Sequence, residues 1–377
     1  MSVLSGVRIV EIGGIGPGPF CGMLLADLGA EVILIERPEA GRMTDMGAAA
    51  IFNRGKRSIA LDLKSQRGAE TALRLIDDAD ALIEGMRPGV MERLGLGPDT
   101  CLARNRRLVY GRMTGWGQSG PLANAAGHDN NYLALSGALW YAGGGSEPPV
   151  APPTLLGDLG GGALYLAVGV LAGILSARAT GAGTVVDAAI VDGSAHLMNL
   201  LLAFKASGQF STQRGKSLLD GPHWFASYRC SDGNFITVGA LEPQFYGLLL
   251  RKLGLDADPA FANGYDASRW PELKQRFAEL FATRDRDAWC ALLEGTDACF
   301  APVLTPEESA RHPHIVDRGI YSEREGMLQA NPAPRFSGPR SVPGPVPRRG
   351  EHADEILRAA GLSTAEIESL RAGGVIA

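Results

Sequence analysis

Seven cations lie beside stretches that have the composition of β-strands. Arg37 follows EVILIE, while Arg54, Lys56 and Arg57 crowd into NRGKRS. Lys64 ends LDLK, Arg87 sits in GMRPG and Arg93 in ERLGLG. In an open parallel sheet the loops at the carboxyl ends of the strands converge on one crevice, so charges placed there meet one ligand. Guanidinium groups pair bidentately with phosphate. Each residue read alone is a solvated surface charge; the set suits a polyanion with spaced phosphates. A second loop invites a dinucleotide reading. Gly13-Gly14-Ile15-Gly16-Pro17-Gly18-Pro19 follows the first strand, and Glu36 ends the next, where a ribose-binding acid would stand. The spacing fails. A G-x-G-x-x-G match from Gly14 needs glycine at Pro19, and one from Gly16 needs it at Cys21. The prolines also remove N–H groups that would cradle a pyrophosphate. No nicotinamide cofactor is expected.

The remaining chemistry-bearing residues are plainer. His128 lies in Gly127-His128-Asp129-Asn130-Asn131-Tyr132, and Asp158 in the apolar, glycine-rich LLGDLGGG. By composition alone the first is an ordinary polar loop residue, and the second caps the helix after it. His312-Pro313-His314 has no Cys or carboxylate at ligand spacing, so no metal site is expected. His196 reads as core, His223 as a loop residue, and His352 opens the last helix. Asp187 and Asp192 read as structural, near a strand-to-helix turn. Five cysteines, an odd number without C-x-x-C spacing, read as reduced thiols of a cytoplasmic chain.

The elements that must position these residues alternate. Strands are expected at 7–12, 31–35, 58–63, 81–84 and 108–110, with helices at 20–28 and 68–78; that pattern specifies βαβ units and a mainly parallel sheet. Near residue 205 the pattern changes. Residues 228–230 and 235–238 flank Ser-Asp-Gly-Asn, a hairpin signal, and helices follow at 244–253, 271–282 and 285–293. Six prolines between 331 and 349 mark an extended return, closed by a helix at 352–360 and a short one after Ser363. The expected division is a large domain at 1–190 with 331–377 returning to it, a linker at 191–224, and a small α+β domain at 225–330. The uncharged run 159–177 raises a membrane-span candidate. Three glycines open it, leaving a helix over 163–177 of about 22 Å, short of a ~30 Å hydrocarbon core. It reads as a buried helix.

The 377 residues carry 36 Lys+Arg and 41 Asp+Glu, a formal charge of -5, with 45% hydrophobic residues. That is ample for a core and excludes a disordered or fibrous chain. A pI near 5.8 argues against a nucleic-acid binder. The N-terminus lacks a signal core, and the terminal GVIA matches no peroxisomal address.

The opening LSGVRIVEIGGIGPGPFCGMLLADLGAEVILIERP, then NRGKRSIALDLKS, EGMRPGVMERLGLGP, RMTGWGQSGP, GHDNNY, LLGDLGGG, TVVDAAIVDG, ALEPQFY and the terminal GEHADEILRAAGLSTAEIESLRAGGVI resemble the family III CoA-transferase superfamily along the whole chain. The histidine of GHDNNY is similar to that of its α-methylacyl-CoA racemase branch, which interconverts (2R)- and (2S)-2-methylacyl-CoA thioesters. The resemblance implies a Rossmann-like large domain and a smaller α+β domain in an interlocked homodimer. The site would lie between the large domain of one chain and the small domain of the other. It implies His128 and Asp158 as the two acid/bases and Glu242 as an additional polar residue. Arg37, Leu61, Asp62, Leu63, Lys64, Gly85, Met86, Arg87, Arg93, Gly127, Asp129, Asn130, Asn131 and Tyr132 would contact CoA, the only cofactor moiety expected. Asn130 departs from the branch, which has an apolar residue there; this touches substrate preference more than reaction type.

Given those roles, the chemistry follows. Moving a proton from one face of C2 to the other needs two opposed groups, one protonated and one not. An imidazole titrates near neutrality unaided, whereas a carboxyl must be raised, most simply by burial. The backbone N–H of Asp129 would receive the enolate oxygen if a helix opens there. Glu242 could fix the His128 tautomer. A transferase of the same fold would instead use Asp158 as a nucleophile, and a non-catalytic acyl-CoA binder would need neither group.

Overall fold

Val32, Ile33, Leu34 and Ile35 are all buried, as a strand covered on both faces must be. In the computed structural model, which describes residues 2–39, 46–145, 147–338 and 340–377, they belong to a six-stranded parallel sheet. Its strands are β1 (Arg8–Ile12), β2 (Glu31–Glu36), β3 (Arg57–Ala60), β4 (Ala81–Glu84), β5 (Val109–Thr114) and β6 (Thr184–Ala189). They lie in the order β3-β2-β1-β4-β5-β6, with Val10 of β1 opposite Ile33 on one side and Leu82 on the other. The order reverses between β1 and β4, where such sheets open a ligand crevice.

Between the strands run α1 (Pro17–Asp27), α2 (Gln66–Ile76), α3 (Val90–Arg93), α4 (Pro98–Arg104), α5 (Asp129–Ser136), α6 (Leu164–Thr180) and α7 (Ile190–Leu197). One face of the sheet, with Val10, Ile33 and Leu82, packs against α2 and α4. The other, with Ile9, Val32 and Ile83, packs against α1, α6 and α7.

The glycines before α6 do not stop the helix. Leu155–Ala163 is π-helical and runs straight into α6, giving 26 helical residues over Leu155–Thr180. At ~1.5 Å per residue that is about 39 Å, so the length argument against a membrane span fails. By length and composition the run is able to cross a bilayer, although 44% of its most apolar window is buried within the chain. Tertiary packing overrides glycine's low propensity here. A Cβ on Gly193 of α7 would stand 1.8 Å from the Gly161 carbonyl oxygen, so the two elements approach as only glycines allow. Leu166, Val170 and Ile174 face the core, whereas Leu164, Val168 and Leu175 are exposed.

The second unit comprises Leu139–Ala151 and Met198–Arg318. Its antiparallel sheet is β7 (Phe225–Arg229), β8 (Phe235–Gly239) and β9 (Phe300–Val303), the expected hairpin plus an unforeseen third strand. With it go α8 (Asn199–Ala206), α9 (Pro243–Leu253), α10 (Trp270–Phe281), α11 (Arg286–Leu293), α12 (Pro306–Arg311) and α13 (Pro313–Asp317). The chain then rejoins the first unit through a hairpin, β10 (Tyr321–Arg324) and β11 (Met327–Ala330), and ends in α14 (Ala353–Ala359) and α15 (Thr364–Ala372).

The expected boundaries shift accordingly. Residues 191–197 belong to the first unit as part of α7, and 198–224 group with the second unit instead of forming a separate linker. The return starts at 319, before the expected 331. Arg54, gripped by Asp27 at 2.6 Å, donates to the Ala330 carbonyl at 2.8 Å and pins β11. Residues 139–151 leave the first unit because Arg214 donates to the carbonyls of Ala142, Gly144 and Glu147, and the Trp140 indole N–H donates to Thr212.

Candidate active site

The candidate site residues follow the carboxyl ends of β2, β3, β4 and β5. Glu84 closes β4 and is fully buried. It accepts from the Met86 N–H at 2.7 Å and from Arg112 of β5 at 2.9 Å, while Arg112 also grips Glu92. Burial raises the Glu84 carboxyl, and the Met86 N–H and Arg112 oppose the rise. This buried bracket fixes the loop of Gly85, Met86 and Arg87 together with α3, which carries Arg93. Beyond β2, the Arg37 carbonyl accepts from Arg349 at 2.8 Å. Beyond β3, the Asp62 carboxylate caps the Lys64 N–H at 3.0 Å. Arg37, Lys64, Arg87 and Arg93 are exposed, and Leu63 is half-buried. The Leu61 side chain is buried in the core, so it offers a ligand only its backbone.

Three of the seven cations have other work. NRGKRS runs into the start of β3, so Arg54, Lys56 and Arg57 stand at the amino end of that strand, away from the crevice. Lys56 is fully buried against Glu11 at 2.7 Å. Arg54 holds Asp27, and Arg57 pairs with Glu31 at 2.6 Å. These are fold contacts. Sequence reasoning missed Arg349, whose approach to Arg37 depends on the long return of the C-terminal segment.

His128 is the N-cap of α5, the helix required for an N–H at Asp129 to be offered. Its own N–H donates to Asn131 Oδ1 at 3.0 Å, and the Asn131 N–H donates back to the His128 carbonyl at 2.8 Å. The Tyr132 hydroxyl donates to the Gly127 carbonyl, and its ring meets Trp116 edge-on at 4.7 Å. The imidazole is thus carried on a pinned turn and is itself exposed, as are Asn130 and Asn131.

Asp158 is the fourth residue of the π-helical turn and is half-buried. Its N–H donates to Asp129 Oδ1 at 2.8 Å. Burial pushes its carboxyl up to about 6; the Asp129 charge pushes the same way, and His128 pulls it back. A Cβ on Gly16, the N-cap of α1, would lie 4.0 Å from Asp158 Oδ2, so the carboxyl faces the β1–α1 loop. That is the loop whose Pro17 and Pro19 remove donors from the first turn of α1. The structure therefore brings His128, Asp129 and Asp158 together beside the switch point. Glu242 belongs to the second unit, where it is the exposed N-cap of α9.

Two other histidines differ from expectation. His196 is exposed and its Nδ1 lies 2.7 Å from the Tyr165 hydroxyl, so it is not core. His223 is fully buried among Tyr246, Phe261 and Phe277. Among the described residues no group of three or more His, Cys, Asp or Glu is placed to hold a metal ion.

Residues 4–353 match the model of CoA-transferase family III, and the chain belongs to that family. Within it, the chain is 43% identical to the human (Homo sapiens) alpha-methylacyl-CoA racemase and 42% identical to that of the mouse (Mus musculus). Each match covers 99% of this chain and 97% of the relative. The fold is similar to that of a CAIB/BAIF family protein from Brucella suis, with a TM-score of 0.82 at 26% identity over 95% of this chain and 99% of that one.

Proposed function

We propose that the protein is an isomerase that interconverts (2R)- and (2S)-2-methylacyl-CoA thioesters by 1,1-proton transfer. Asp158 carries the reading: a half-buried carboxyl held near neutrality and electrostatically coupled to the His128 imidazole. One group takes the α-proton from one face of C2, and the other returns a proton to the opposite face. The thioester carbonyl acidifies that proton and holds the charge as an enolate. The Asp129 N–H, the first of α5, meets this oxygen with the favourable end of the helix dipole. The thioester supplies the acidity, so the reaction needs no cofactor beyond the CoA moiety. Arg37, Lys64, Arg87 and Arg93 bind its phosphates.

The working form is a homodimer in this reading. Leu164, Val168 and Leu175 on α6 and Val185 on the edge strand β6 expose an apolar surface, which a second copy would cover. Glu242 is then the further polar group that holds the His128 tautomer. The five cysteines are unpaired, which fits a reducing cytoplasmic setting, and the proposed 2-methylacyl substrate suits a place in fatty acid metabolism.

The test is incubation with a (2R)-2-methylacyl-CoA in D₂O without any acceptor acid. Deuterium at C2 with loss of optical purity is the expected result. Transfer of CoA to an added carboxylate without exchange would identify a transferase, with Asp158 attacking the thioester to form an acyl-aspartyl anhydride.

A further inference from the structure

The first five N–H groups of a π-helix have no acceptor within it. Leu159 makes the first bond five residues back, to the Thr154 carbonyl at 3.0 Å, while the Leu155 N–H turns to Pro153 at 2.8 Å. The Asp158 N–H is satisfied from another element, by Asp129 Oδ1 at 2.8 Å across 29 residues of chain. Asp129 is only 7% exposed, and its Oδ2 is buried without a hydrogen-bond partner among the described residues. Gly157 makes room for this carboxylate: a Cβ there would stand 2.4 Å from Oδ1 and 3.1 Å from the Leu133 side chain.

From this geometry, and resting on the two-base reading, we propose that the Asp129 side chain is a positioning residue. It seats Asp158 by capping the π-helical turn, and it holds a fixed negative charge beside the reacting carboxyl. A cap needs one acceptor oxygen, which an asparagine supplies as well. A buried anion with a bare oxygen is a costly way to provide it, offset in part by its place in the first turn of α5. What the charge adds is electrostatic. Near a second negative charge, Asp158 keeps its proton closer to neutrality. A carboxyl that keeps its proton closer to neutrality can serve as the acid in one direction and the base in the other.

The test is kcat/KM for C2 deuterium exchange against pH in wild type, Asp129→Asn and Gly157→Ala. Asp129→Asn keeps the acceptor and removes the charge, so its acid limb moves down by roughly one pH unit. Gly157→Ala displaces the carboxylate and moves the limb the same way. The titration is also read without turnover, from the carboxyl stretch in infrared difference spectra of each protein against its Asp158→Asn counterpart. Unmoved acid limbs and midpoints overturn the proposal, whatever happens to kcat. If wild type exchanges no deuterium, the proposed function falls, and the infrared midpoints still decide the role of Asp129.

Discussion

The Asp158 carboxyl lies within the electrostatic reach of His128: burial and the neighbouring Asp129 charge push it up to about 6, and the His128 charge draws it back down. In the proposed two-base reaction the working state holds one proton between them, whichever enantiomer is bound. Below the first deprotonation both are protonated and no base is left; above the second neither can donate. The kcat/KM for exchange against pH is therefore a bell with the same limbs from either enantiomer, its acid limb near pH 6. Initial rates from (2R) and (2S) substrates across pH 4.5–9.5 check this. Limbs that differ between the enantiomers would rule out the shared proton.

Removing either partner leaves one face of C2 without its acid/base, so a proton taken from the other face can return only to that face. His128→Ala and Asp158→Asn should each lower epimerisation by about 10² to 10⁴ while CoA still binds, since the cations stand on other strand ends. Epimerisation by chiral chromatography and CoA binding by calorimetry separate the two effects. Full activity in His128→Ala defeats the two-base account.

His223 makes the second unit acid-sensitive. Its ring is fully buried and its Nδ1 has no partner among the described residues. Burial, with a smaller push from Lys274, lowers its pKa to about 3. The unfolded chain binds this proton below about pH 6.5 and the folded chain only near pH 3, so stability present above pH 6.5 is lost as the pH falls between them. Between pH 7 and 5 the loss is about 2 kcal/mol. Denaturant unfolding of wild type and His223→Gln at both pH values measures it. An equal pH dependence in the two proteins would refute the assignment.

Val168 is 66% exposed in the middle of the apolar row on α6. Val168→Asp puts a charge where the second copy is proposed to pack, and nothing in the first unit's own core is disturbed. The variant should run as a monomer in light scattering and lose exchange, while its far-ultraviolet circular dichroism is unchanged. A dimeric, active Val168→Asp protein would show that this face is not the interface.

The first five strands of the large sheet are legible because each is a short run of β-branched or apolar residues between turn signals. The proposed acid/base pair comes from two compact motifs of the family resemblance, since by composition alone His128 is a loop residue and Asp158 a helix cap. What escapes the sequence depends on distant chain. The glycines around Gly161 look like a helix stop until α7 is packed against them. Lys56 looks like a phosphate ligand until β3 proves to begin at Arg57, which leaves it just before that strand, buried against Glu11 of β1. His223 has the setting of a loop residue, and only the fold surrounds it with aromatic rings. The contact from Asp129 to Asp158 spans 29 residues and leaves no local trace.

The covalent path from His128 to Asp158 passes through Leu139–Ala151, which belongs to the second unit. No single cut can therefore isolate the first unit with both groups still joined: excising the second unit severs the peptide between His128 and Asp158. A shortened enzyme would need two designed bridges, from Ala138 to Pro152 and from Leu197 to Gly319. The same wiring makes recombination with a relative at that segment a graft of both units at once.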